Sequence, residues 1–257
     1  HPRGAMVIDL FGLAADEVRQ QFPEIYQHIV REVKEKRDDD GKPVGRDANN
    51  RESYRLNWWI FGEPRRELRP ALAGLSRYIV TVETMKHRIF QFLDAAIMPD
   101  NKLIVLAFED GPKLALLSSR VHEIWYLGNA GKLGVYERDA VYVKSRCFDP
   151  FPFPDLDDPA GSDPAGLPFE EAQALKARIG ALAEELDATR KRVLADHPDL
   201  TLTGLYNVLE RLRAIEAAGG NAAVPPLTPQ EEDVRDRGLV LILKELQERI
   251  DAAGHEA

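Results

Sequence analysis

Apolar and polar positions alternate in the middle of the chain and step at helical intervals towards both ends. Tyr78, Val80 and Val82 share one parity and Ile79 and Thr81 the other, which predicts a strand. A second apolar run, Leu103-Ile-Val-Leu-Ala-Phe108, follows the turn residues Pro99-Asp-Asn101 and predicts another. Val135, Tyr136, Val141, Tyr142 and Val143 flank Glu137-Arg-Asp139, and predict a hairpin entered through the turn Gly128-Asn-Ala-Gly131. Upstream, Val18, Phe22, Ile25, Ile29 and Val33 recur at helical spacing, with Asp16 placed to cap and Pro23 to start a second helix. Downstream, Leu175, Ile179, Leu182, Leu186 and Val193 form the stripe of a long amphipathic helix. Residues 201–215 carry a second helix through Leu205, Leu209 and Leu212, broken at Gly219-Gly220. Thr228-Pro-Gln-Glu231 is a capping box, and Leu239, Leu241, Ile242, Leu243, Leu246 and Ile250 continue as a third helix.

The punctuation between these runs sets the expected organisation. Residues 1–50 read as a helical arm and a polar linker, whose Asp/Gly/Asn-rich stretch 38–50 lacks apolar periodicity. Residues 51–154 read as a mixed α/β domain. Pro150, Pro152 and Pro154 end its sheet pairing, because proline brings no N–H to a ladder. The Pro/Asp/Gly/Ala stretch 155–167 reads as a linker, and 168–257 as a helical C-terminal domain. The fold class expected is α+β.

Composition narrows the class of protein. The chain has 257 residues, enough for a substantial core. It shows no apolar run of membrane-spanning length and no signal-peptide pattern at its start. One cysteine, Cys147, excludes an internal disulfide and suits a reducing cytoplasm. The net charge of −9 argues at first against a nucleic-acid partner. Its distribution changes that picture. From residue 155 onward there are 11 Lys+Arg against 21 Asp+Glu, whereas residues 46–148 carry 16 against 12. The acid is C-terminal and the middle is mildly basic, which permits contact with DNA phosphates.

Several clusters stand out within that basic middle. Trp58, Trp59 and Phe61 read as core before they read as a base-stacking platform. Arg65, Arg66 and Arg69 form either a solvated face or a phosphate clamp. Glu83, Lys86, His87 and Arg88 crowd charge beside Ile89, Phe90, Phe92 and Leu93, and Ser118-Ser-Arg-Val-His122 leads into Trp125. On a hairpin, Glu137, Arg138 and Asp139 are residue types that reach base edges, arginine to guanine and carboxylates to the cytosine amino group.

These clusters occur in an order that resembles one family. Trp58-Trp59, Arg77-Tyr78-Ile79, Glu83-Thr84 with Lys86-His87-Arg88, Ser118-Ser119-Arg120 with His122, and the Phe-Asp-Pro-Phe-Pro-Phe-Pro end at 148–154 are similar to the target recognition domain of large single-chain DNA adenine methyltransferases, including the MmeI-like restriction–modification enzymes. Leu202-Thr-Gly-Leu-Tyr-Asn207 resembles that family's C-terminal segment, and the likeness runs from about residue 7 to about residue 250. The resemblance implies a module that holds double-stranded DNA while an upstream catalytic domain methylates an adenine extruded from the duplex. In the family, the stretch after a Gly-x-Leu motif, here Gly131-Lys-Leu133, discriminates bases, which points to residues 134–138. The DNA-binding candidates are Lys86, His87, Arg88, Ser118, Ser119, Arg120, Lys132, Tyr136, Glu137, Arg138, Lys144 and Arg146. Glu83, Lys86 and His87 have a second reading as glue of the fold, since a pattern shared between different specificities cannot encode one of them. The acidic helices likewise have a second reading, as a docking module for the catalytic domain that never touches DNA.

The catalytic chemistry of such an enzyme is missing from the sequence. There is no glycine-rich S-adenosylmethionine loop and no Asn-Pro-Pro-aromatic tetrapeptide, so the cofactor is implied only for a longer parent protein and this chain is expected not to be an enzyme by itself. No P-loop, Gly-x-Ser-x-Gly or His-Glu-x-x-His occurs. A nuclease centre fails on spacing: Pro99-Asp100 and Lys113 are present, but the residue two before Lys113 is Gly111. His87, His122 and Cys147 read as structural groups rather than metal ligands, and nothing beside Cys147 supplies the base a nucleophile needs.

Overall fold

The structure, a computed structural model, describes residues 4–133, 139–154, 168–219 and 224–256. Its fold is α+β, and it divides into two compact units, His1–Ala73 and Gly74–Ala257. The first boundary therefore falls at residue 73 rather than at residue 50. The expected linker at 155–167 lies outside the described residues.

The N-terminal unit is helical. Helices α1 (Ala15–Gln21) and α2 (Pro23–Ile29) run into a π turn at Val30–Lys34. Pro23 opens α2 as expected. Asp16 does not cap α1. Ala14 is the N-cap, and Glu17 reaches back to accept from its N–H at 2.6 Å. Two short helices follow, α3 (Glu52–Leu56) and α4 (Leu68–Leu72). Residues 51–73 belong to this unit because Trp58 closes its core against Leu10, Val18 and Ile29. The edge of Tyr26 meets Trp58 at 5.5 Å, and Trp59 Nε1–H donates to Leu13 O at 2.9 Å. The aromatic pair is therefore core, while Phe61 stays exposed. Arg69 forms a two-point pair with Asp9 at 2.5 and 2.9 Å.

The second unit is built on β1 (Arg77–Val82), the central strand of an antiparallel sheet with β2 (Gln91–Asp94) on one side and β3 (Leu103–Leu106) on the other. Ile79 lies opposite Phe92 and Leu106. Tyr78, Ile79, Val80 and Thr81 are all buried, so both faces of this strand are covered, a denser burial than simple alternation predicts. Two helices that the apolar spacing did not announce come next, α5 (Gly111–Ser118) and α6 (Arg120–Asn129). Asp110 caps α5 through the Lys113 N–H, and Ser119 caps α6 through the His122 N–H.

A separate antiparallel ribbon pairs β4 (Gly131–Leu133) with β5 (Asp139–Val141). Its first strand begins at Gly131, in the expected turn, whose Gly128 and Asn129 instead end α6, and Asp139 lies in the second strand rather than at the tip. The joining residues 134–138 lie outside the described residues. A π turn at Lys144–Phe148 follows.

The C-terminal helices belong to this same unit. Helix α7 (Phe169–Asp196) is followed by α8 (Leu202–Ala218), capped by Thr201 and ended by Gly219 at φ +55°. The Thr228–Glu231 capping box opens α9 (Pro229–Arg237) as expected. The expected third helix is in fact two: the chain breaks at Gly238-Leu239, where Leu239 has φ +48°, before α10 (Val240–Glu256). Buried residues of the sheet, α5, α6, α7, α8 and α10 make one continuous core that includes Phe90, Leu114, Tyr126, Leu186, Leu205 and Leu246.

Two features bind the helices to the sheet. At the crossing of α5 and α7, a Cβ on Gly111 would lie 2.6 Å from Gly180 O, so only glycine permits this approach. On the open edge of β2, Asp187 accepts from Phe92 N–H at 3.2 Å and Arg190 donates to Phe90 O at 3.0 Å. Two side chains one turn apart on α7 thus replace the ladder of a missing neighbour strand, satisfying backbone groups that burial would otherwise strand.

Candidate nucleic-acid interface

The candidate residues fall into two places. The first is a cleft of about 240 Å³ in the second unit, lined by His87, Arg88, Ser118, Ser119 and Arg120 together with Tyr206, Glu210, Arg213 and Gln247. The second is the ribbon β4–β5 and the π turn after it, with Lys132, Lys144 and Arg146.

In the cleft, and at Lys86 beside its lining residue His87, most polar groups already have partners. Lys86 Nζ and His87 Nε2–H both donate to Asn207 Oδ1, at 2.9 and 2.8 Å, and Lys86 also pairs with Glu210 at 3.1 Å. Asn207 and Tyr206 come from the Leu202–Asn207 motif at the start of α8, so two sequence motifs meet here. His87 lies 6.0 Å from the Tyr206 ring. Ser119 Oγ donates to Leu116 O at 2.7 Å while capping α6. The Arg120 N–H at the start of α6 donates to Asp251 Oδ1 at 2.7 Å, and its guanidinium sits 3.5 Å from Glu123. Ser118 Oγ is buried with no partner. Glu123, Glu210 and Asp251 therefore offset the cations, and the helix N-terminus that would attract a phosphate already holds a carboxylate.

Arg88 is enclosed by strand carbonyls and two tyrosine rings. Its guanidinium donates to Thr81 Oγ1 at 3.1 Å, to Glu83 O at 3.4 Å, to Ala140 O at 3.3 Å and to Val82 O. It is stacked against Tyr126 and Tyr142, at 5.1 and 4.9 Å from their ring centres. Burial lowers its pKa from the ordinary arginine value. Beside it lies His122, fully buried, whose Nδ1–H donates to Leu117 O at 3.0 Å. A carbonyl only accepts, so Nε2 is the acceptor and Tyr142 O–H donates to it at 3.0 Å. Burial, with Arg88 nearby, pushes His122 down to about 4, so the ring is neutral near pH 7. Burial also raises the Tyr142 and Tyr126 hydroxyls.

The ribbon and π turn are different in character. Lys144 and Arg146 are exposed, and Lys144 meets Asp149 at 3.6 Å across the turn. The turn is fixed from within: Cys147 is buried, and Trp125 Nε1–H donates to Cys147 O at 3.1 Å. Lys132 sits in β4, but its side chain, like Tyr136, Glu137 and Arg138 altogether, lies outside the described residues. Sequence reasoning missed Tyr142, Asp187, Arg190 and Asp251. A signal existed for two of them, because Asp187 and Arg190 interrupt the apolar stripe of α7 between Leu186 and Val193.

Among the described residues no group of three or more His, Cys, Asp or Glu side chains is placed to hold a metal, and no helix is long and apolar enough to cross a membrane. Both sheets of the described residues are antiparallel, without the parallel strand, glycine loop and helix that seat S-adenosylmethionine, so no step is assigned to that cofactor here. Comparison of the chain with protein-family models, curated proteins and solved structures found no match.

Proposed function

We propose that the chain is a DNA sequence recognition module of a site-specific adenine methyltransferase or restriction–modification enzyme, which positions duplex DNA for an upstream catalytic domain carrying S-adenosylmethionine. The observation that carries this reading is the β4–β5 ribbon, joined to the central sheet through the Thr84–Val141 bridge and followed at once by a turn with two exposed cations, Lys144 and Arg146. A two-stranded ribbon fits a major groove, and cations beside it suit the flanking phosphates. Base reading belongs to 134–138 and phosphate contact to Lys144 and Arg146. Lys86, His87 and Arg88 act within the fold, because their polar atoms are engaged by α8 and by strand carbonyls.

A second reading has its own observation. Val121, Ile124 and Leu127 are exposed on one face of α6 and form an apolar stripe suited to docking on another protein surface. Selection from a random-sequence duplex pool, followed by sequencing, decides between the two. DNA recognition predicts enrichment of a short motif. Retention of no duplex at low salt would leave docking as the role.

A further inference from the structure

The ribbon is joined to the central sheet by a small, specific set of contacts. Thr84 forms a bridge with Val141, and Tyr142 N–H donates to Glu83 O at 2.9 Å, so the second strand of the ribbon continues alongside the end of β1. Arg88 ties the same two segments, holding Glu83 O on one side and Ala140 O on the other. Tyr142 anchors the far end. Its ring lies against Arg88 and edge-on to Phe90 at 5.6 Å, and its O–H is held by His122 from α6. His122 has its other nitrogen held by Leu117 O, and both terminal nitrogens of Arg88 are engaged by Thr81 Oγ1 and strand carbonyls, while Arg88 Nε is buried without a partner. His122 therefore has a fixed tautomer and Tyr142 a fixed donor direction.

We infer that Arg88, His122 and Tyr142 form a latch that fixes the bearing of the β4–β5 ribbon on the sheet, and that this latch sets the DNA sequence preference without touching DNA. These are positioning residues, and the second half of the inference rests on the DNA-recognition reading above. The physical reason is geometric. A ribbon of three-residue strands is too short to hold its own orientation, so its aim comes from whatever clamps its base. Loosening the clamp blurs base readout, which needs sub-ångström placement, but leaves phosphate attraction, which does not.

The test uses the full chain with Tyr142→Phe, which keeps the ring beside Arg88 and removes only the O–H. Arg88→Lys, which keeps the charge but cannot span separated carbonyls, is the second variant. Amide hydrogen exchange by mass spectrometry compares the peptide covering 131–143 with peptides from β1 and α7. The expected result is faster exchange in 131–143, on the order of tenfold, with β1 and α7 unchanged. Unchanged exchange at 131–143 overturns the latch, and so does an equal acceleration everywhere, which marks an ordinary core residue. Anisotropy with a duplex enriched by the wild type and with a scrambled duplex tests the second half. The variants should lose preference for the enriched duplex and keep affinity for the scrambled one. An unaltered preference despite a loosened ribbon overturns the specificity role. A wild type that binds no duplex refutes the DNA reading instead, and exchange alone then decides the latch.

Discussion

His122 shows most clearly how a residue flagged by sequence acquires its role from packing. It touches Phe90, Tyr126, Tyr142 and Phe151 and lies near Arg88, and its pKa falls from 6.5 to about 4. A histidine neutral in the fold but protonated when unfolded costs stability as pH falls. The loss begins near pH 6.5, grows to about 3 kcal/mol at about pH 4, and is complete below that. Urea unfolding across this window should therefore show the stability gap between wild type and His122→Phe shrinking as pH drops; parallel curves would refute the assignment. The same residue-scale lesson holds for Lys86 and His87. Their crowding is visible in the sequence, but their shared partner, Asn207, lies 120 residues beyond His87. No local pattern reveals whether such a side chain faces a phosphate or an amide of its own chain.

At the scale of elements, strands β1 and β3, helices α7 and α8 and the Thr228 box were legible, because their periodicity or capping chemistry is local. Strand β2 was not, since its four residues carry no alternation and its outer edge is completed by Asp187 and Arg190 of α7. Helix α5 hid for a related reason. Gly111, Leu114, Ala115 and Leu117 are buried on more than one side, and such burial erases the amphipathic period. The π turn at 144–148 has no period or cap to announce it, whereas Gly238, after Arg235 and Arg237, is a helix-stop signal beside the break at Leu239. The crossing of α5 and α7 yields an expectation of its own. Gly111→Ala forces backbone apart at Gly180 and should cost about 1–3 kcal/mol in chemical denaturation. A wild-type midpoint would mean the helices separate freely.

On the scale of the whole molecule, the charge pattern and the packing make sense together. The acidic C-terminal helices are not an appended tail. Helix α7 completes the sheet, Asp251 of α10 accepts from the first N–H of α6, and Glu210 of α8 pairs with Lys86. Acid thus faces the cations of the cleft, and on the π turn next to the ribbon Lys144 and Arg146 are exposed, Lys144 beside Asp149. The resemblance in sequence order suggested a DNA face in the middle of the chain. The folded arrangement shows which of those side chains are paired within the chain, Lys86 with Asn207 and Glu210 and Lys144 with Asp149. The pairing of Lys86 could not be read from spacing, because it depends on contacts between segments far apart in the chain.

Fluorescence anisotropy with a random-sequence duplex at low and moderate salt tests this account most directly, comparing wild type with the Lys144→Ala, Arg146→Ala double variant and with Lys86→Ala. Binding should weaken as salt rises, and removing two phosphate contacts should lower the log–log salt slope by about 2. Lys86→Ala should bind as the wild type does, since Lys86 is held by Asn207 and Glu210. Loss of binding in Lys86→Ala with none in the double variant would contradict the account and place the DNA face in the cleft.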